Sequence, residues 1–172
     1  MKRSDYLECA VARGTHGVRG NLRLESRCNT PADLAALRRL FIEKDGEYVP
    51  MEVEHASLQK GAVLAKLSGV DTLEAAAALR GTVFYAARED IKLGRGEYFI
   101  ADMIGLPVVD HESGHKYGTL SDVIRPGAQQ IYVVKGENGE FMIPVVPEFI
   151  KEITVGDGGA VRVKLIEGMA DR

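Results

Sequence analysis

Cysteine is scarce in this chain of 172 residues: only Cys9 and Cys28, and neither falls in a C-x-x-C or zinc-ligand spacing. That excludes a disulfide scaffold and a cysteine-built metal framework, and leaves two reduced thiols. No apolar run reaches the length of a membrane-spanning helix, and the opening MKRSDYLECA has no apolar core of a secretory signal, so a cytoplasmic protein is expected. An excess of positive charge is also missing. The net charge of −3 argues against a wholly basic nucleic-acid coat, although a local basic patch works on an acidic protein.

What is present suits one domain or two small ones, with cores large enough to stand without crosslinks. Residues 6–13 and 21–27 read as strands joined by the glycine loop Gly14-Thr15-His16-Gly17-Val18-Arg19-Gly20. Leu22 and Leu24 alternate with polar residues and face a core, and Arg13, His16, Arg19, Arg23 and Arg27 share an exposed edge. Thr30-Pro31 begins a short helix or a turn. Strands follow at 39–43, 48–54 and 62–67, with Asp45-Gly46 as a hairpin signal. Residues 71–81 predict the clearest helix, capped by Asp71, with Glu74 completing a capping box and Gly81 ending it. A strand at 82–86 returns the chain to Lys92-Leu93-Gly94-Arg95-Gly96, a linker composition.

Beyond the linker, short strands at 106–109, 118–124, 130–134, 140–143 and 160–165 alternate with turn signals, which predicts a second small barrel. The fold class expected is mostly β: two small β-barrel domains in series with one or two short helices, over residues 1–92 and 98–172 with a linker at 93–97. Charge divides with the fold. Up to residue 93 there are 14 Lys/Arg against 13 Asp/Glu; from 94 onward there are 8 against 12.

Two motifs invite catalytic readings. The glycine loop is spaced G-x-x-G-x-x-G and runs into a strand, whereas a dinucleotide site needs G-x-G-x-x-G opening a helix. His111-Glu112-Ser113-Gly114-His115 matches the zinc-protease pattern H-E-x-x-H, but that chemistry requires a helix, and glycines and a proline surround it here. A polar hairpin tip is the expected form. His16 paired with Cys9 or Cys28 would make a nucleophile and base, a couple that spacing alone does not establish. No enzyme activity, cofactor, metal or small-molecule substrate is expected.

Taken together, GTHGVRGNLRLES, SGVDTLEAAAALRGTVFYAARED, GEYFIADMIGLPVVD, YGTLSDVI and FMIPVVPEFIKEI, in this order, resemble the RimM family of ribosome maturation factors, whose second domain is a PRC barrel. The resemblance implies a non-enzymatic assembly chaperone that binds the head of the free small ribosomal subunit and assists late processing of its rRNA. Its implied partners are the small-subunit ribosomal protein numbered nineteen and head rRNA; no membrane is involved, and a monomer is expected. The implied ribosome-contacting residues are Arg13, His16, Gly17, Arg19, Gly20 and Arg23. Gly17 and Gly20 have a second reading, as hinges of a tight strand connection. For the protein partner the candidates are Tyr98, Phe99, Asp102, Pro144, Pro147 and Phe149.

The family's Tyr-Tyr pair, usually followed by Trp, reads Tyr98-Phe99 here without the Trp. As adjacent strand residues, one of the two would face the core and only the other a partner. Pro144 to Ile150 is expected at a sheet edge or as a loop lid, with Phe149 and Ile150 in the core. The alternative to the whole reading is a PRC-barrel adaptor that binds protein and never RNA.

Overall fold

A computed structural model describes residues 4–170. They divide into two compact units, Ser4–Glu97 and the chain from Tyr98 onward.

The first unit is a closed antiparallel barrel of six strands in the order β1-β2-β5-β4-β3-β6. They are β1 (Tyr6–His16), β2 (Asn21–Ser26), β3 (Arg39–Lys44), β4 (Glu47–Gln59), β5 (Ala62–Leu67) and β6 (Val83–Ala87). Alternation drives closure: Leu22, Leu24, Leu40, Val63, Leu67 and Phe84 all point inward and are essentially fully buried. Two short helices, α1 (Pro31–Ala35) and α2 (Leu73–Ala78), add Leu34 and Ala76 to that core. The α1 cap is reciprocal, Thr30 Oγ1 accepting from Asp33 N and Thr30 N donating to Asp33 Oδ2 at 2.8 Å.

One cap differs from expectation. Thr72, not Asp71, caps α2 by accepting from Ala75 N, because Asp71 is held by Lys66 Nζ at 2.7 Å. Lys66 Nζ also donates to the Val70 and Leu67 carbonyls, and it thereby fixes the turn between β5 and α2.

The second unit is a six-stranded sheet around a separate core, in the order β10-β9-β8-β7-β12-β11. Its strands are β7 (Pro107–Asp110), β8 (Lys116–Ile124), β9 (Ile131–Gly136), β10 (Gly139–Pro144), β11 (Ile150–Thr154) and β12 (Ala160–Val163). Only β12 and β7 run parallel; the other pairs are antiparallel. Val108, Leu120, Val134, Ile143, Val161 and Val163 fill the interior. β8 crosses β9 so closely that a Cβ on Gly118 would stand 2.4 Å from the Lys135 carbonyl oxygen.

Two elements depart from the sequence reading. Tyr98 and Phe99 are not strand residues: Phe99 occupies the N-cap position of a one-turn helix, α3 (Ile100–Met103). Past Pro147 the chain becomes β11, an edge strand that proline punctuation hides.

Candidate functional site

The glycine loop is the tip of the β1–β2 hairpin. His16 pairs with Asn21 across the last rung, and residues 17–20 form the turn. Gly17 (φ 69°) and Gly20 (φ 85°) both take the left-handed conformation that glycine supplies without a Cβ penalty. They differ in surroundings. Space is open around Gly17, whereas a Cβ on Gly20 would fall 2.1 Å from the Val70 carbonyl oxygen, the one Lys66 holds. The hairpin tip is thus seated on the turn before α2, and it presents His16, Val18 and Arg19 to solvent, Val18 being 74% exposed.

The arginines of this edge are not equivalent. A register shift between Ala12 and Gly14 sets Arg13 at a bulge, where its Nε and Nη2 grip the Glu25 carboxylate at 2.8 and 3.2 Å. The bidentate bond lowers the Glu25 carboxyl below its ordinary range and raises the Arg13 guanidinium. Arg13 is therefore committed to the barrel wall. Arg19 and Arg23 are exposed and form no ion pair among the described residues. Arg23 lies opposite Gly14 on one side and Leu64 on the other.

Cys9 does not meet His16. It is wholly buried, seven residues back along the same strand, about 23 Å at the rise of an extended chain. Its thiol donates to the Phe84 carbonyl at 3.4 Å, and the neighbouring Cys28 Sγ donates to the Cys9 carbonyl oxygen at 3.6 Å. The neighbouring thiol and burial together push Cys9 far up, out of the reactive range.

In the second unit the candidate residues scatter by role. Tyr98 packs on the core and donates its hydroxyl to the Ile153 carbonyl at 3.1 Å, tying the domain entrance to β11. It also stands close to Tyr132, whose phenol is pushed up to about 12, chiefly by burial and then by Tyr98. Phe99 and Asp102 are half-buried at α3. Pro144 closes β10 opposite Ile131, at the sheet edge, where its missing N–H costs nothing. Pro147 is exposed and accepts from Lys151 Nζ at 2.9 Å, while Phe149 packs against the same core as Tyr98. Pro147 is thus the most exposed of this set, and Tyr98 and Phe149 are placed chiefly by packing.

His111 to His115 forms a turn, not a helix, and Gly114 has φ 74°. The turn is organised by Asp110, which sequence reasoning did not single out. Its Oδ1 accepts from Ser113 N at 2.7 Å, Ser113 Oγ at 2.8 Å and Glu112 N at 3.1 Å, and its Oδ2 from Tyr117 OH at 3.2 Å. These bonds, the Ser113 N–H foremost, lower the Asp110 carboxyl from 3.8 to about 2. A depressed folded value means that its contribution to stability is complete above the ordinary value and disappears as pH falls from 3.8 towards 2. The stability gap between the native chain and Asp110→Asn should therefore be constant above about pH 4 and close by about pH 2, as measured by urea unfolding across that range.

Comparison with known proteins matches each unit separately. The model of the RimM N-terminal domain covers residues 7–91 and that of the PRC-barrel domain residues 95–169. The chain is a PRC-barrel protein with a barrel of a second kind in front of it. A ribosome maturation factor RimM of Caldanaerobacter subterraneus subsp. tengcongensis is 34% identical over 172 aligned residues, covering 96% of this chain and 99% of its own length. That of Ruminiclostridium cellulolyticum is 32% identical, with 97% and 99% covered. The crystal structure of a Pseudomonas aeruginosa RimM aligns with a TM-score of 0.47 at 24% identity, over 94% of this chain and 98% of that one. The chain belongs to the RimM family of ribosome maturation factors.

Proposed function

We propose that this protein acts in the cytoplasm as an assembly chaperone of the small ribosomal subunit, binding the head of the free subunit and assisting late maturation of its rRNA. The observation that carries the reading is the hairpin tip. It is seated through Gly20, and it offers Arg19, which has no ion pair among the described residues, beside His16, with Arg23 on β2 of the same hairpin, as anchors for phosphate oxygens. The second unit, with more carboxylates than cations, is the side that avoids RNA and docks the basic ribosomal protein numbered nineteen, through the exposed surface around Pro147 and the half-buried Phe99 and Asp102.

Co-sedimentation with free small subunits, free large subunits and whole ribosomes across a salt series tests this. Selective pelleting with free small subunits is expected. Arg19→Glu should weaken it about tenfold or more, since a lost charge-assisted bond is worth about 1.5–3 kcal/mol, and should flatten the salt dependence. Arg13→Gln should do far less, because Arg13 already holds Glu25. Unchanged binding by Arg19→Glu, with folding intact, would favour an adaptor that contacts only protein.

A further inference from the structure

The first barrel carries a second exterior feature, unrelated to the glycine loop. Tyr6 of β1 stacks on Tyr48 of β4 with ring centroids 4.1 Å apart and planes 13° from parallel. Tyr48 meets Tyr85 of β6 edge-on at 5.1 Å, and Tyr6 meets Phe41 of β3 edge-on at 4.9 Å. None of the four belongs to the barrel's interior cluster. Alternation explains this, since Leu40 and Phe84, the residues just before Phe41 and Tyr85, are the ones that point inward. The result is a row of three half-buried tyrosines, Tyr6, Tyr48 and Tyr85, on the outer wall, with Phe41 buried beside it and paired across the ladder with Tyr85.

Beside Phe41 the chain supplies its own cation. The Arg39 guanidinium lies 5.2 Å from the Phe41 ring centre and is held by Asp90 at 2.7 Å and Glu89 at 2.8 Å. Along the tyrosines the same chemistry stands without the cation. Glu8 pairs across the ladder with Tyr85, and Glu43 with Tyr48. Both carboxylates are exposed, and neither has an ion-pair partner among the described residues. Their field reaches the ring: the Tyr85 phenol is raised by burial first and then by Glu8 and Glu43.

We propose that this face of the first barrel, Tyr6, Tyr48 and Tyr85 rimmed by Glu8 and Glu43, is a docking site for an arginine-rich protein segment. A guanidinium stacks on an aromatic face and bonds a carboxylate at once, as Arg39 does on Phe41 within the chain itself. Two unpaired carboxylates repel phosphate, so a nucleic-acid strand is the poorer fit although it too would stack. The surface is distinct from the hairpin tip, and its test does not depend on the ribosome.

The chain has no Trp, and three of its six Tyr are Tyr6, Tyr48 and Tyr85, so a change in tyrosine emission is expected when the row is covered. The probe is an end-blocked nona-arginine peptide, titrated at low salt into the full-length protein. Saturable binding with a change in tyrosine emission is expected. Glu8→Gln with Glu43→Gln should weaken it about fivefold or more, and Tyr48→Ala by a similar factor. Glu137→Gln with Glu140→Gln, in the other unit, should leave it unchanged. The shape-preserving glutamine pair keeps the test valid if Tyr48→Ala lowers stability. Equal weakening by both glutamine pairs, binding without an emission change, or tighter binding by the Glu8/Glu43 variant would overturn the proposal. A single-stranded oligonucleotide that displaces the peptide and gains affinity in that variant would assign the row to nucleic acid instead.

Discussion

Replacing Gly20 by alanine should cost the first barrel about 2–5 kcal/mol of stability: about 1–2 for a left-handed alanine, and about 1–3 for forcing a methyl group into occupied space. The added carbon would meet the Val70 carbonyl at 2.1 Å, and that carbonyl cannot retreat freely because Lys66 grips it and Asp71 together. The strain is relieved only by lifting the hairpin tip off the turn before α2. Binding should suffer beyond the stability loss, because His16 and Arg19 then lose their fixed position. Gly17→Ala is the internal control, with a similar φ of 69° but nothing within 4 Å of the added carbon. It should lose only about 1–2 kcal/mol. Urea unfolding of both variants, followed by small-subunit co-sedimentation at a temperature where both remain folded, separates the two contributions. Equal destabilisation of the two would show that the contact with Val70 does not hold the loop.

The second large effect is expected at Phe84→Ala. Phe84 is the largest fully buried side chain, at the centre of the first core, and truncation should cost about 3–5 kcal/mol through lost burial and the cavity left behind. Enough of the barrel's marginal stability disappears for it to unfold well before the second unit, whose core shares no residue with it. Denaturant unfolding followed by tyrosine emission should thus split into two transitions. Val18→Ala is the contrast: its side chain is 74% exposed, so stability should move by no more than about 0.5 kcal/mol. A Phe84→Ala protein that unfolds in a single transition at the native midpoint would mean that this core is not what holds the barrel.

Much of the architecture is legible in the residues because it is local. Strands with one buried face announce themselves by alternation, as in Asn21–Ser26 and Ala62–Leu67, and tight turns by Asp45-Gly46 or Asn138-Gly139. The same locality explains where the structure departs from that pattern. The α2 cap passed from Asp71 to Thr72 because Lys66 competes for the aspartate, a contact that spacing does not reveal. Tyr98-Phe99 reads as strand because aromatics favour strands, yet the pair enters a one-turn helix, since Tyr98 must reach the Ile153 carbonyl across the unit. β11 lies behind two prolines and carries no clean alternation.

From its residues alone the chain is legible as mostly β and built of two units, with His111 to His115 too glycine-rich for a good helix and a glycine-hinged loop that bears cationic residues. These follow from periodicity, backbone freedom and charge, which act over a few residues. Which of these residues are available is a matter of tertiary contacts. The fold paired Arg13 with Glu25 and left Arg19 open, seated Gly20 against a carbonyl fifty residues away, and gathered Tyr6, Tyr48 and Tyr85 from three strands into one row. Contacts of that kind are set by how a barrel closes, and closure brings together residues whose separation along the chain carries no trace of their meeting.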